Sequence, residues 1–180
     1  MTAKDIMSSE VYTISPDLTV GEAVLIMARK KVHNLPVVDA NGSFMGLFSL
    51  RRITLALMPM AAQIGEDVMD FELAFIGDDS DDYLRRLKQI GDQPVSTMLE
   101  KKQKLRFCSP DTPIPHLLQL LSENPMTLPV LVLKGENQHV AGMVSNWDVL
   151  TKIALSLYGK PVQEDAADSK PNSSNDEGHA

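Results

Sequence analysis

The residues best suited to chemistry in this chain are few and scattered. His33, His116, His139 and His179 stand far apart, with no Ser/His/Asp order, no nucleophile elbow and no Gly-x-x-x-x-Gly-Lys phosphate loop near them. Cys108 is the single cysteine, so an intramolecular disulfide is excluded, and no Cys/His grouping has the spacing of a zinc site. It follows Phe107 in an apolar run and reads as an inert buried thiol. The carboxylates of Asp78, Asp79, Asp81 and Asp82 could attract a hard cation, but they lack the spaced ligands, central Gly and closing Glu of a calcium loop; a solvated acidic turn is the stronger reading. Arg29-Lys30-Lys31 offers positive charge to a small anion and equally suits the solvated C-terminal end of a helix. Catalysis needs positioned groups, and none is visible. One carboxylate stands apart: Asp148, which closes the run Gly142-Met143-Val144-Ser145-Asn146-Trp147-Asp148. In the first turn of a helix it can serve the helix dipole and a backbone N–H, or it can accept two donors from a ligand at once; both readings stand at this point.

The elements that must position these residues come in duplicate. The segment from Val11 to Ile53 lines up with the segment from Leu105 to Leu150, with its matches in a fixed order. Ser15-Pro16-Asp17 pairs with Ser109-Pro110-Asp111, each expected to close a short strand and open a helix. Val20, Ala23, Val24 and Met27 correspond to Ile114, Leu117, Leu118 and Leu121, both sets spaced as one buried helical face. Leu35-Pro36-Val37-Val38 matches Leu128-Pro129-Val130-Leu131 and reads as a strand buried on both faces. A turn follows each, with Asn41-Gly42 as its signal in the first copy. Gly46-Leu47-Phe48-Ser49 and Gly142-Met143-Val144-Ser145 return, and Ser49 and Ser145 are placed to cap a second helix. Each unit therefore reads β-α-β-β-α, an α/β (α+β) architecture.

Between the units, residues 57–93 form an acidic insertion that is expected to be helical. Met58-Pro59 ends the preceding helix, and Tyr83, Leu84, Leu87 and Ile90 give an amphipathic helix ending at Gly91, the second of an expected pair. Residues 160–180 offer little to bury and are expected to be disordered.

Composition narrows the classes further. The chain has 180 residues, 43% of them hydrophobic and 5% aromatic, so its core must rest on Leu, Ile, Val, Ala and Met. A formal charge of −7 disfavours nucleic acid and anionic membrane surfaces at long range. No apolar run approaches the roughly 20 residues needed to span a bilayer, and the first residues lack the apolar centre of a signal peptide. With one cysteine, a reducing cytoplasm is the expected compartment.

Two units in this order, each with Leu-Pro-Val before a hairpin and a Gly-h-h-Ser-x-x turn into the last helix, resemble the paired CBS domain (Bateman) family. The resemblance implies two CBS repeats, 1–56 and 94–159, packed with pseudo-twofold symmetry and leaving two clefts, and a module that dimerises. It further implies a non-catalytic regulatory role in which an adenine nucleotide (AMP, ADP or ATP type, or S-adenosylmethionine) binds in a cleft. No cofactor is required, and the signal passes to a partner such as a transporter or an enzyme; the alternative is a dimerisation and interaction scaffold independent of ligand.

In that family the Asp of the Gly-h-x-Ser/Thr-x-x-Asp turn accepts hydrogen bonds from both ribose hydroxyls. Carried over, the competent cleft joins Ser145, Asn146 and Asp148 to Met7, Tyr12, Val32 and His33, with Lys4 in reach. His33 matches a position that meets phosphate, Lys30 or Lys31 adds positive potential, and Val32 and Met7 hold the base. Repeat one departs from the pattern, since Arg52 stands where the Asp should be and has no acceptor for hydroxyls. Its cleft is expected to be degenerate, a more basic mouth built from Ser49, Arg52, Met98, Arg106, Pro125 and Met126. Trp147 either covers a cleft or packs at a module interface.

Overall fold

The computed structural model describes residues 1–58, 80–100, 102–124 and 128–159; Pro59, Asp78, Asp79, Pro125, Met126 and the 160–180 tail lie outside the described residues. The first helix, α1 (Val20–Lys30), starts where local chemistry is strongest. Thr19 accepts from the Glu22 backbone N–H, while Glu22 accepts from both the Thr19 N–H, at 3.0 Å, and its hydroxyl, at 2.7 Å, closing a capping box. The helix stops at Lys31, whose left-handed φ of 53° turns its N–H back to the Met27 carbonyl. Val20, Ala23 and Met27 are its buried residues, as their spacing predicts.

Ser15-Pro16-Asp17 and Ser109-Pro110-Asp111 do not open the helices as expected. Each forms a turn, with the N–H of Leu18 or Thr112 on the Ser15 or Ser109 carbonyl, and the helices begin only at Val20 and Ile114.

Strands β1 (Asn34–Val38) and β2 (Phe44–Ser49) form an antiparallel hairpin, with Leu35 opposite Phe48 and Val37 opposite Gly46. Helix α2 (Leu50–Leu57) follows, capped by Ser49 and ended at Met58. The insertion contributes α3 (Ser80–Gly91) within the described residues, and it packs on α1 and α2. Arg86 ties it to repeat one by donating to the Leu57 carbonyl at 2.9 Å.

Repeat two supplies β3 (Arg106–Cys108), α4 (Ile114–Ser122), β4 (Val130–Lys134), β5 (His139–Val144) and α5 (Asn146–Tyr158). Here β3 runs parallel to β4 and β4 antiparallel to β5. Repeat one has only a single parallel bridge, Ile14 with Val37, where β3 would correspond. The Val38 N–H already reaches the Ile14 carbonyl, so the next ladder bond back would need an N–H from Pro36, which has none.

The two repeats exchange their leading segments. Residues 2–8 lie against repeat two, where Ala3 donates to the Thr112 carbonyl and Ser8 pairs with Met143. Residues 93–100 lie against repeat one, where Val95 donates to the Leu18 carbonyl and Glu100 to the Leu47 carbonyl. Two glycines make this possible: a Cβ on Gly142 would stand 2.6 Å from the Met7 sulfur, and one on Gly46 would stand 2.6 Å from Leu99 Cδ1.

The core follows the exchange. Val95 and Met98 join Ile14, Val20, Leu35 and Phe48 in one cluster, and Ala3 and Ile6 join Leu117, Val130 and Val144 in a second. A third, made of Leu47, Leu105, Leu128 and Leu131, joins the halves. Each fully buried Leu or Val side chain contributes about 1.5–3 kcal/mol, so the joint between repeats is an integral part of the core.

Candidate ligand cleft

Helix α5 begins with a reciprocal cap. Ser145 accepts from the Asp148 N–H at 3.2 Å, while Asp148 Oδ2 accepts from the Ser145 N–H at 2.7 Å and from its hydroxyl at 2.5 Å. The helix-terminal role of Asp148 is thus real. It occupies one oxygen, and Oδ1 has no hydrogen bond among the described residues. Asp148 and Met7 line a depression of about 380 Å³, together with Asp5, Thr151 and Lys152.

Trp147 also lines a larger cavity of about 640 Å³. Its walls include His33 and Asn34 from the entrance to β1, Leu128 and Pro129 from the entrance to β4, Ser145, and Arg51 and Thr54 from α2. Asn124 fixes the β4 side, donating through Nδ2 to the carbonyls of Leu128 at 2.8 Å and Pro129 at 3.2 Å. A third depression, of about 350 Å³, adjoins at His33 and Leu50 and adds Lys31 and Val32. The expected residues are thus divided among three hollows: Ser145 and His33 line the largest of the three, Val32 and His33 the one beside it, and Met7 and Asp148 the third, with Trp147, 75% exposed, on the walls of two of them.

Other expected residues lie elsewhere. Asn146 opens α5 and lines none of these three hollows. Tyr12 packs on the repeat-one core under Lys30, whose Nζ is 4.7 Å from the ring centroid. Its hydroxyl donates to Glu10 at 2.6 Å, and that bond pushes the phenol's pKa above the ordinary tyrosine value. Lys4 pairs with Asp111 at 3.2 Å in an exposed contact worth about 0–1 kcal/mol.

Among the described residues, Ser49, Arg52, Met98 and Arg106 do not gather into a basic second cleft. Met98 is buried in the repeat-one core, and Arg106 bonds the Gln103 and Leu105 carbonyls and faces Glu123 at 3.6 Å. Arg52 Nε is buried without a hydrogen bond among the described residues, and Met126 and Pro125 lie outside them. Ser49 is buried, and its hydroxyl donates to Glu100 Oε1 at 2.5 Å while it caps α2 through the Arg52 N–H. Glu100, itself 4% exposed, also holds Arg51, with Nη1 at 3.2 Å from Oε2 and 3.4 Å from Oε1. A carboxylate delivered by the exchanged segment thus occupies the turn that lacks its own Asp.

Sequence reasoning missed Arg51 and Glu100. The resemblance had already set Met98 beside Ser49 and Arg52, but it was not extended two residues on to Glu100, and the motif comparison went to Arg52 and passed over its neighbour. Among the described residues, no three His, Cys, Asp or Glu side chains gather in a way that could hold a metal ion, and no helix is long and apolar enough to cross a membrane.

A duplicated α/β unit with exchanged leading segments and a serine-capped terminal helix defines a family. The model of the CBS domain matches the chain twice, over residues 3–59 and 98–155, so the chain belongs to the CBS domain family and carries a tandem pair. Among relatives, it is 27% identical over 160 residues to a CBS domain-containing protein of Dictyostelium discoideum, covering 89% of this chain and 96% of that one. It is also 37% identical over 70 residues to an uncharacterized protein of Methanopyrus kandleri, a match that spans 39% of this chain and 36% of the relative.

Among solved structures, the CBS-pair protein CBSX2 of Arabidopsis thaliana superposes with a TM-score of 0.63 at 18% identity, over 89% of this chain and 98% of that one. CBSX2 has also been solved in complex with AMP, with a TM-score of 0.59 at 21% identity over 87% of this chain and 98% of that one. The CBS domain pair of protein MJ0100, solved with 5′-methylthioadenosine and S-adenosyl-L-methionine, gives 0.58 at 17% identity over the same shares of 87% and 98%. At these identities the likeness establishes the fold.

Proposed function

We propose that the chain is a non-catalytic regulatory module that binds an adenine nucleotide, of the AMP, ADP or ATP type or S-adenosylmethionine, in the cleft between its repeats, and signals to a partner protein. One observation carries the reading: Asp148 keeps Oδ1 without a partner among the described residues, on a wall shared with Met7 of the other repeat. A carboxylate there suits a pair of ribose hydroxyls, because charge-assisted bonds are the stronger ones. The adenine-nucleoside ligands of CBSX2 and MJ0100 support the choice of ligand class.

Walls drawn from both repeats give the ligand a means to act. A ligand shifts an equilibrium only by its differential affinity for two states, so contacts to both halves would favour one relative arrangement. Reading that arrangement out requires a partner, such as a transporter or an enzyme, or a second copy of the chain.

Titration calorimetry tests the reading. The wild-type chain is expected to bind at least one of AMP, ADP, ATP and S-adenosylmethionine. Asp148→Ala is expected to lose at least about tenfold in affinity, the cost of a charge-assisted bond, and about 1 kcal/mol of stability with the cap. No heat and no rise in melting temperature with any of the four would sink it.

A second reading rests on α5, whose Trp147, Leu150, Leu157 and Tyr158 are all exposed. Here the chain is a scaffold that homodimerises without ligand. Sedimentation equilibrium separates the two: the scaffold reading requires a dimer whose association constant is indifferent to nucleotide.

A further inference from the structure

The two crossings between the repeats match in their backbone bonds. Ala3, Lys4 and Ser8 donate their N–H groups to the carbonyls of Thr112, Pro110 and Met143, and Val95, Ser96 and Glu100 donate theirs to the equivalent Leu18, Pro16 and Leu47. Side chains separate the crossings at the last of these positions. Ser8 is exposed, and its hydroxyl has no hydrogen bond among the described residues. Glu100, its counterpart, has a side chain only 1% exposed, which accepts from the Ser49 hydroxyl at 2.5 Å and from Arg51 Nη1 at 3.2 Å.

The carboxylate has therefore changed places between the halves. In repeat two it belongs to the turn, where Asp148 is half-buried and keeps Oδ1 without a hydrogen bond among the described residues. In repeat one it arrives with the crossing, and burial seals it from any hydroxyl in solution. Arg51 supplies the opposite charge, and parting such a pair leaves a buried charge uncompensated, so the 93–100 crossing is held shut. The 2–8 crossing has no such fastening, yet its Asp5, Ile6 and Met7 share the hollow of Asp148. A molecule seated there and bonded to Asp148 is placed to tie that crossing to its turn.

We propose that Glu100 is a built-in counterpart of the ligand: it fastens one crossing permanently, so the module takes one ligand per chain, at Asp148, and responds through residues 2–8 alone. The site count and the response rest on the nucleotide-sensor reading; the fastening by Glu100 does not. The two crossings then differ in stability before any ligand is present, since local opening follows the bonds that each segment must break.

Amide hydrogen exchange on the full chain tests the fastening first. In wild type, Val95, Ser96 and Glu100 are expected to exchange at least about tenfold more slowly than Ala3, Lys4 and Ser8, the effect of one charge-assisted bond. Glu100→Ser, which copies the other crossing, should erase that difference. Glu100→Gln keeps an acceptor for Ser49 and should retain part of it, and melting temperatures confirm that both variants fold. Calorimetry with AMP, ADP, ATP and S-adenosylmethionine then counts sites, with one per chain expected. Exchange repeated with the tightest-binding of the four should show added protection in residues 2–8 and none in 93–100. Equal exchange at the two crossings in wild type, or no change in a folded Glu100→Ser chain, overturns the fastening. Two sites per chain, or protection gained equally at both crossings, overturns the single site. No binding of any of the four removes the sensor reading and the site count with it, while the fastening stands or falls on the exchange rates alone.

Discussion

Ser49 and Ser145 hold the same place in the two repeats and serve different partners. Both cap a helix, but Ser145 is returned a carboxylate by Asp148 of its own turn, while Ser49 donates to Glu100, 51 positions away. Burial decides which matters more for stability. Ser145→Ala removes a half-buried cap at a cost of about 1 kcal/mol. Ser49→Ala removes a cap and also strips a donor from a buried carboxylate, so about 2–4 kcal/mol is expected, and urea unfolding of the two variants measures the difference. The same contrast explains what the sequence revealed. Ser145 and Asp148 were legible because their partnership is local, three residues apart in a recognisable turn. The partnership of Ser49 with Glu100 was not, because it exists only after the chain has crossed from one repeat to the other. Cys108, read as a buried thiol, is only half-buried, in a strand whose Phe107 is exposed; that partial burial still pushes its thiol's pKa above the ordinary cysteine value.

Helix α1 shows how an element's start is set by one local competition. Ser15-Pro16-Asp17 is a plausible opening, yet Thr19 with Glu22 satisfies both ends of a cap and wins. The hydroxyl of Thr19, and then its backbone N–H, hold the Glu22 carboxyl below the ordinary glutamate range. A carboxyl whose pKa falls on folding stabilises the fold above its unfolded value, and that contribution is lost as pH falls through the folded one. Melting temperature should therefore drop on acidification through and below the glutamate range, and Glu22→Gln should flatten part of that drop. Circular dichroism melts at a series of acidic pH values check this. Hydrophobic spacing gave the hairpin strands and most of the buried faces of α1 and α4, because each is a property of one segment; it failed at Leu118, which is 44% exposed, and Val24 and Ile114 are only half-buried. The missing first strand of repeat one depended on register against Pro36, a pairing that no single segment discloses.

At the scale of the whole molecule, duplication was readable because the order of the matches survives, and the family follows from it. The exchange of leading segments was not readable from the residues themselves, since residues 2–8 and 93–100 carry the same kind of apolar pattern wherever they pack; the family resemblance alone set Met7 against the Asp148 turn and Met98 against the Ser49 turn. Gly46 and Gly142 sit under those crossings, each too close to the other half's leading segment for a Cβ. The consequence reaches beyond the site. A chain severed between Met58 and Ser80 leaves two pieces, each missing the first stretch of its own unit's cover and carrying the cover of its neighbour. Neither piece is a finished repeat, so each is expected to be insoluble or unfolded alone, and the two should co-purify as a stoichiometric complex when expressed together, as the halves of a split reporter do. Independent folding of either piece would show that the crossing is dispensable. If the pieces reassemble only in company, each repeat is half of a mutual template, and such a protein can be copied or lost in evolution only as a pair.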